Sequence, residues 1–254
     1  MKIHAWKKAL AAGALAAGLA VAGTATAETI YKVGSTPTGI PFTFLDIETN
    51  SIQGMMVDLI DLVAKEAGFE VEVEATPFSS LIPALTSNKI DIISAAMIAT
   101  DEREEVIDFS DPVFPYGEGL VVAADDQKEY KSFDDLEGAV VGVQVGTIYI
   151  EPLQQSGAFQ EVRIYDSLAD ILRDVNLGRI KAGFGDKPIL AYQLSQGKYP
   201  DVRLVQSYES VVAGPVALGV RQEDDELLSK INEALAKLKA AGEIDRLAKK
   251  WNVK

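Results

Sequence analysis

Three polar side chains have the types and positions to do chemistry: Arg103, Thr147 and Asp186, each set where an apolar run gives way to a loop or a helix start. Arg103 is the one cation in Asp101-Glu102-Arg103-Glu104-Glu105. It is either neutralised by its neighbours in a solvated cluster or aimed at something anionic. Thr147, after Gly146, can simply cap a helix, or cap it while the free N–H groups of the first turn face an anion. Asp186, after Phe184-Gly185, leaves a carboxylate at a strand end, and taken alone it reads equally as a helix N-cap. Together the three put one positive and one negative group on the flanks of a cleft. That pattern complements a zwitterion, with guanidinium and helix N-terminus for an α-carboxylate and aspartate for an α-ammonium.

Missing residues restrict the chemistry further. There is no Cys, and the single His is His4, in a stretch that reads as a leader. Lys2, Lys7 and Lys8 precede an Ala/Gly/Leu run over 9–23, and Ala25-Thr26-Ala27 supplies a small-x-small cleavage site. A signal peptide is therefore expected at 1–27, with the exported chain beginning at Glu28. That chain would have neither His nor Cys, which excludes Ser-His-Asp and Cys-His nucleophiles and the His- and Cys-based zinc sites. No catalytic residue, metal site or cofactor is expected. Without a Cys there is no thioether to carry a lipid, so a free protein in the periplasm is expected, with no insertion into the membrane. Cleavage takes three of the 24 Lys and Arg and none of the 38 Asp and Glu, leaving 21 against 38, or −17. Such acidity argues against nucleic acid and anionic membranes as partners.

The elements that must position these side chains follow from periodicity. Strands are predicted at Ile30–Val33 and Phe42–Leu45, separated by a turn-rich loop over 34–41. Met56, Ile60, Val63 and Ala67 form one helical stripe that Gly68 closes. Phe69–Glu74 alternates as a strand, Ser79 or Ser80 opens a second helix through Leu85, and Ile90–Ser94 is a buried strand. Strand-helix alternation at these lengths means βαβ units and a mainly parallel sheet. A second such set runs from about Ala124 to Gln206. It holds strands at Val140–Val145, Val162–Tyr165 and Ile180–Phe184, and helices at Ile148–Gln155, after Ser167 and after Asp186. The run Val211–Val220 returns to the first set, and helices from Asp224 and after Gly242 finish the chain. One domain is thus expected to be inserted in another: 28–119 with 212–254, and 120–211, joined by crossings near 117–125 and 207–220.

Leu81-Ile82-Pro83-Ala84-Leu85, Lys89-Ile90-Asp91-Ile92-Ile93, Thr100-Asp101-Glu102-Arg103 and Val106 to Pro112 resemble the run shared by polar amino-acid-binding proteins of ABC importers, the family 3 solute-binding proteins. Gly54–Leu59, Val141–Thr147 and Leu177–Ile180 followed by Phe184–Asp186 continue the likeness in order across the exported chain. The resemblance implies an α/β fold of two lobes, the type II-like periplasmic-binding-protein fold, with two mainly parallel sheets on a two-strand hinge. It implies a receptor, not an enzyme, that closes on an amino acid or similar zwitterion and hands it to an inner-membrane permease; a monomer is expected. It also implies that Arg103 holds the α-carboxylate, Thr147 assists from the second lobe and Asp186 holds the α-amino group. The carbonyl of Ala96 and the N–H of Ile98 would complete the shell.

Departures from the family pattern fall around the ligand. Ile98 stands where a hydroxyl residue is usual, Gly39 where an aromatic lies over the ligand, and Met55 where an aromatic follows Gly54. Met55 is expected to form an adaptable wall, and either Phe44 or Phe78 can fill the space that Gly39 leaves. Gln144 is either the reader of the ligand's side chain or a surface amide. The alternative on the same fold is a dehydratase of the cyclohexadienyl type, in which a carboxylic acid would serve as the general acid.

Overall fold

The structure, a computed structural model, describes residues 29–253. The expected leader lies outside them. Among the described residues no helix is long and apolar enough to cross a membrane.

Two open α/β sheets make two lobes. The first runs in the order Glu70–Ala75, Ile30–Ser35, Ile92–Ile93, Gly219–Val220, Asp108–Phe109. Its first three strands are parallel, with Val33 opposite both Val73 and Ile92, and Gly219–Val220 joins antiparallel. The second runs Glu161–Tyr165, Val140–Gln144, Ala182–Asp186, Phe114–Ala123, Val202–Leu204, the first three again parallel. Parallel strands need crossover connections, and the helices supply them. Met55–Ala67 buries Met56, Ile60 and Val63 against the first sheet, and Leu168–Asn176 buries Ile171, Leu172 and Val175 against the second. Gly68, at φ 78°, ends the first of these in the left-handed conformation that glycine adopts most cheaply.

The two crossings are one continuous ladder. Phe114–Ala123 is a single ten-residue strand whose far half belongs to the second sheet, pairing with Ala182–Asp186 and Val202–Leu204. Its near half pairs antiparallel with the returning strand Ala213–Val216, Tyr116 opposite Gly214 and Phe114 opposite Val216. The paired segments, 114–117 and 213–216, lie nearer the first sheet than the outgoing crossing predicted at 117–125. Glu118 secures the return. Its buried carboxylate accepts from Tyr208 Oη (2.8 Å), Val211 N (2.6 Å) and Val212 N (2.9 Å), so the charge is held by three donors rather than by a cation.

Three predicted features differ. The loop over 34–41 carries Thr38–Gly39, which pairs with Thr43–Asp46 and so begins a small three-stranded antiparallel sheet completed by Ser51–Gln53. Ser79 and Ser80 do not cap: a 3-10 turn, Phe78–Ser80, leads into the helix Leu81–Thr86 with no side-chain cap bond. The helix expected from Ile148 starts at Ile150.

Candidate functional site

Thr100 N-caps the short helix Asp101–Glu104, its Oγ1 accepting from Arg103 N–H at 3.3 Å. This turn aims the Arg103 side chain inward, where it is 8% exposed. It does not pair with the acidic residues around it in sequence, and no carboxylate lies within 4 Å of the guanidinium among the described residues. The solvated-cluster alternative is therefore wrong. Nη1 donates to Ile98 O at 2.6 Å and Nη2 to Gly146 O, on the second lobe, at 2.9 Å. Three of the five guanidinium donors remain. Burial lowers the Arg103 pKa, while Tyr116 and Asp186 pull it back up. A guanidinium stays charged under these conditions.

Opposite it, on the second lobe, Asp186 ends the strand Ala182–Asp186 and precedes the helix Lys187–Ser195, yet its carboxylate makes no cap bond. The N-cap alternative is set aside. Oδ1 instead accepts from Tyr149 Oη at 2.6 Å. Burial pushes the Asp186 pKa up to about 6, against the opposing pull of Tyr149, Tyr116 and Arg103. No cation lies within 4 Å of this carboxylate either among the described residues. Thr147 is not a helix cap: its Oγ1 donates to Gln144 O at 2.8 Å inside the turn, and the N-cap position belongs to Tyr149. Gly146 allows this turn to meet the first lobe. Its φ is +78°, and a Cβ there would lie 3.0 Å from Ser79 Cα across the cleft.

Between these groups is a small cavity of about 10 Å³, lined from the expected set by Arg103, Thr147, Asp186, Ile98 and Phe78. Phe78, not Phe44, covers the guanidinium, with Arg103 Cζ 5.8 Å from its ring centre; Phe44 packs edge-on against Trp251. Ile98 faces Val216 in an isolated bridge held by Ala99 N to Pro215 O (2.8 Å) and Ala217 N to Met97 O (3.1 Å). That pairing turns its own C=O to Arg103 and leaves its N–H without a protein partner among the described residues. Ala96, at φ 53°, presents its C=O to Tyr116 Oη at 2.6 Å; a second lone pair remains.

Three expected residues do not line the cavity: Ala96, which reaches the site only through its C=O on Tyr116, and Met55 and Gln144. Met55 is fully buried in the first lobe's core at the start of its helix and does not line the cavity. Gln144 is buried in the second lobe, its amide donating to Asp166 O at 3.2 Å, and it too is off the cavity wall. Three wall residues were not foreseen: Tyr116, Ile148 and Tyr149. Their types gave no signal, because an isoleucine or tyrosine beside apolar residues reads as core.

Two lobes on a paired crossing, with a buried cation and a half-buried carboxylate that have no counter-ion where they meet, define a ligand-binding protein whose cleft takes a small molecule. The family assignment agrees. The model of the bacterial extracellular solute-binding proteins, family 3, matches residues 31–254, and the chain belongs to that family. It is 30% identical over 219 residues to the L-cystine-binding protein TcyJ of Escherichia coli strain K12, covering 86% of this chain and 81% of that one. An ancestral arginine-binding protein bound to arginine superposes with a TM-score of 0.80 at 33% identity, covering 88% of this chain and 98% of that one. An ancestral amino-acid-binding protein that is a precursor of cyclohexadienyl dehydratase gives 0.78 at 32%, covering 87% and 95%.

Proposed function

We propose that this protein is the periplasmic receptor of an ABC importer, capturing an amino acid or close zwitterionic relative between its lobes and delivering it to a membrane permease. One observation carries the reading: a buried Arg103 and a half-buried Asp186 face one cavity from opposite walls, each without a counter-ion within 4 Å among the described residues. A buried unpaired charge is costly, and a zwitterion relieves both at once. Arg103 and the Ile98 N–H take the α-carboxylate, with Thr147 assisting as its hydroxyl turns from Gln144 O to the ligand; Asp186 and the Ala96 C=O take the α-ammonium. Lobe 1 comprises 28–119 with 212–254, and lobe 2 comprises 120–211. The hinge lies in the crossings near 117–125 and 207–220, with its centre in the 114–117/213–216 ladder. A micromolar site supplies about 8 kcal/mol, and moving an open-closed balance from 1:99 to 99:1 takes roughly 5.5 kcal/mol. Ligand binding is thus sufficient to drive closure. The leader is cleaved after Ala27, and the free protein acts as a monomer.

The test is ligand-induced thermal stabilisation across a panel of amino acids, opines and betaines. A ligand at about 100 times its Kd adds roughly 2.7 kcal/mol; Arg103→Ala should abolish the shift. A second reading, a dehydratase acting on a carboxylated ring, is favoured by the likeness to the dehydratase precursor and by an Asp186 carboxyl that titrates at about 6, in the range of a general acid. Incubation with prephenate or arogenate decides it, because the receptor reading requires that no product form.

A further inference from the structure

The charges on the cavity wall say what kind of amino acid it takes. We infer that the ligand is an amino acid with an uncharged, mainly apolar side chain, an inference that rests on the zwitterion site proposed above. The wall carries one cation, Arg103, and one carboxylate, Asp186. An α-carboxylate and an α-ammonium use both, so nothing remains to compensate a third charge. The other carboxylates nearby are committed or outside. Glu118, directly across the strand pair from Asp186, is filled by Tyr208 and two backbone N–H groups. Glu102 and Glu151 line a separate groove on the outer side of Thr147 and Ile148, and both are exposed. An ion pair made there would be worth about 0–1 kcal/mol, whereas burying an unpaired ammonium or carboxylate in the cavity costs several.

The remaining wall points the same way. The side chains of Phe78, Ile98 and Ile148 offer only carbon, the Ile98 N–H is taken by the α-carboxylate, and the hydroxyls of Tyr116 and Tyr149 donate to Ala96 O and Asp186 Oδ1, so neither has a proton left for a polar side chain. Burial pushes the pKa of both tyrosines well up, and they remain neutral. The cavity holds about 10 Å³, the space of about one water, so an amino acid enters only as the lobes part, and it is the charge count rather than the volume that limits its side chain. Arginine and cystine, named for the similar proteins, do not fit this description.

The experiment is calorimetric titration of the exported protein and of its Arg103→Ala variant with alanine, serine, valine, leucine, glutamine, arginine, lysine and glutamate. Tightest binding is expected among the neutral apolar acids alanine, valine and leucine, with arginine, lysine and glutamate at least 100-fold weaker. If arginine or glutamate binds as tightly as the neutral apolar acids while Arg103→Ala abolishes binding, the side-chain class is wrong and the zwitterion site stands; loss of arginine binding in Glu102→Gln would then trace the side chain to the outer groove. Binding that survives Arg103→Ala unchanged, or the absence of heat with every amino acid, overturns the zwitterion site itself.

Discussion

Ligand affinity should depend on pH through Asp186 in a way that a surface carboxylate would not produce. Burial holds its pKa at about 6 although Tyr149, Tyr116 and Arg103 favour the ionised form. An α-ammonium binds only the ionised carboxylate, so the apparent affinity scales with the ionised fraction: about 90% at pH 7, about 10% at pH 5 and about 1% at pH 4, for a group titrating near 6. The apparent Kd should therefore rise about tenfold from pH 7 to pH 5 and about 100-fold by pH 4, roughly 1.4 kcal/mol for each tenfold. The ligand's own carboxylate stays ionised over most of this range and Arg103 stays charged, so neither masks the effect. Titrations at pH 5 in two buffers of different ionisation enthalpy should show close to one proton released per ligand bound. Asp186→Asn should bind far more weakly at pH 7, by about 2–5 kcal/mol for removing one member of a buried charge pair, and should lose the pH slope. A Kd that stays flat from pH 7 to pH 4.5 in the unaltered protein would refute the assignment of the ammonium to Asp186.

Four further outcomes follow from the same geometry. Because the folded pKa of Asp186 is raised, the folded state binds its proton more tightly than the unfolded chain, and this group's contribution to stability declines as pH rises from about 4 to about 6. Without ligand, Asp186→Asn should thus raise Tm at pH 7.5 and leave it nearly unchanged at pH 4, as read by thermal denaturation. Tyr149→Phe removes a bond that favours the ionised carboxylate, so the midpoint of the affinity-pH profile should move upward from about 6, by titration calorimetry. Gly54→Ala should destabilise by more than about 3 kcal/mol in urea, since φ is +134° and a Cβ would sit 2.2 Å from Phe42 O. Tyr208→Phe leaves the Glu118 carboxylate short of one donor and should cost about 1–3 kcal/mol in the same assay.

What the sequence made legible tracks how strongly one physical pattern dominated each stretch. The helix Met55–Ala67 was clear because a 3.6-residue stripe and a terminal glycine agree, and Val140–Gln144 because a continuous apolar run has few other fates between turns. The small sheet over Thr38–Gln53 was hidden, since strands of two to four residues leave no periodicity to count. Arg103 and Asp186 could be found because a lone charge at the end of a buried strand has few reasons to be there. Whether each was paired, capped or free depends on side-chain direction, which spacing does not encode. Tyr116 and Tyr149 escaped notice because a tyrosine in an apolar run reads as core. Met55 was misplaced for the opposite reason: its neighbour Gly54 marks a close backbone approach to Phe42, which turns the following side chain into the core rather than the cleft.

The account stands most directly on Arg103. Titration calorimetry of the exported protein and of Arg103→Ala against the same short neutral amino acid at pH 7.5 should give saturable one-to-one binding in the first. In the second, binding should be lost or at least 100-fold weaker, with the two proteins equally folded by circular dichroism. Equal affinity in both would mean that the buried guanidinium does not hold the ligand, and the central claim would fail.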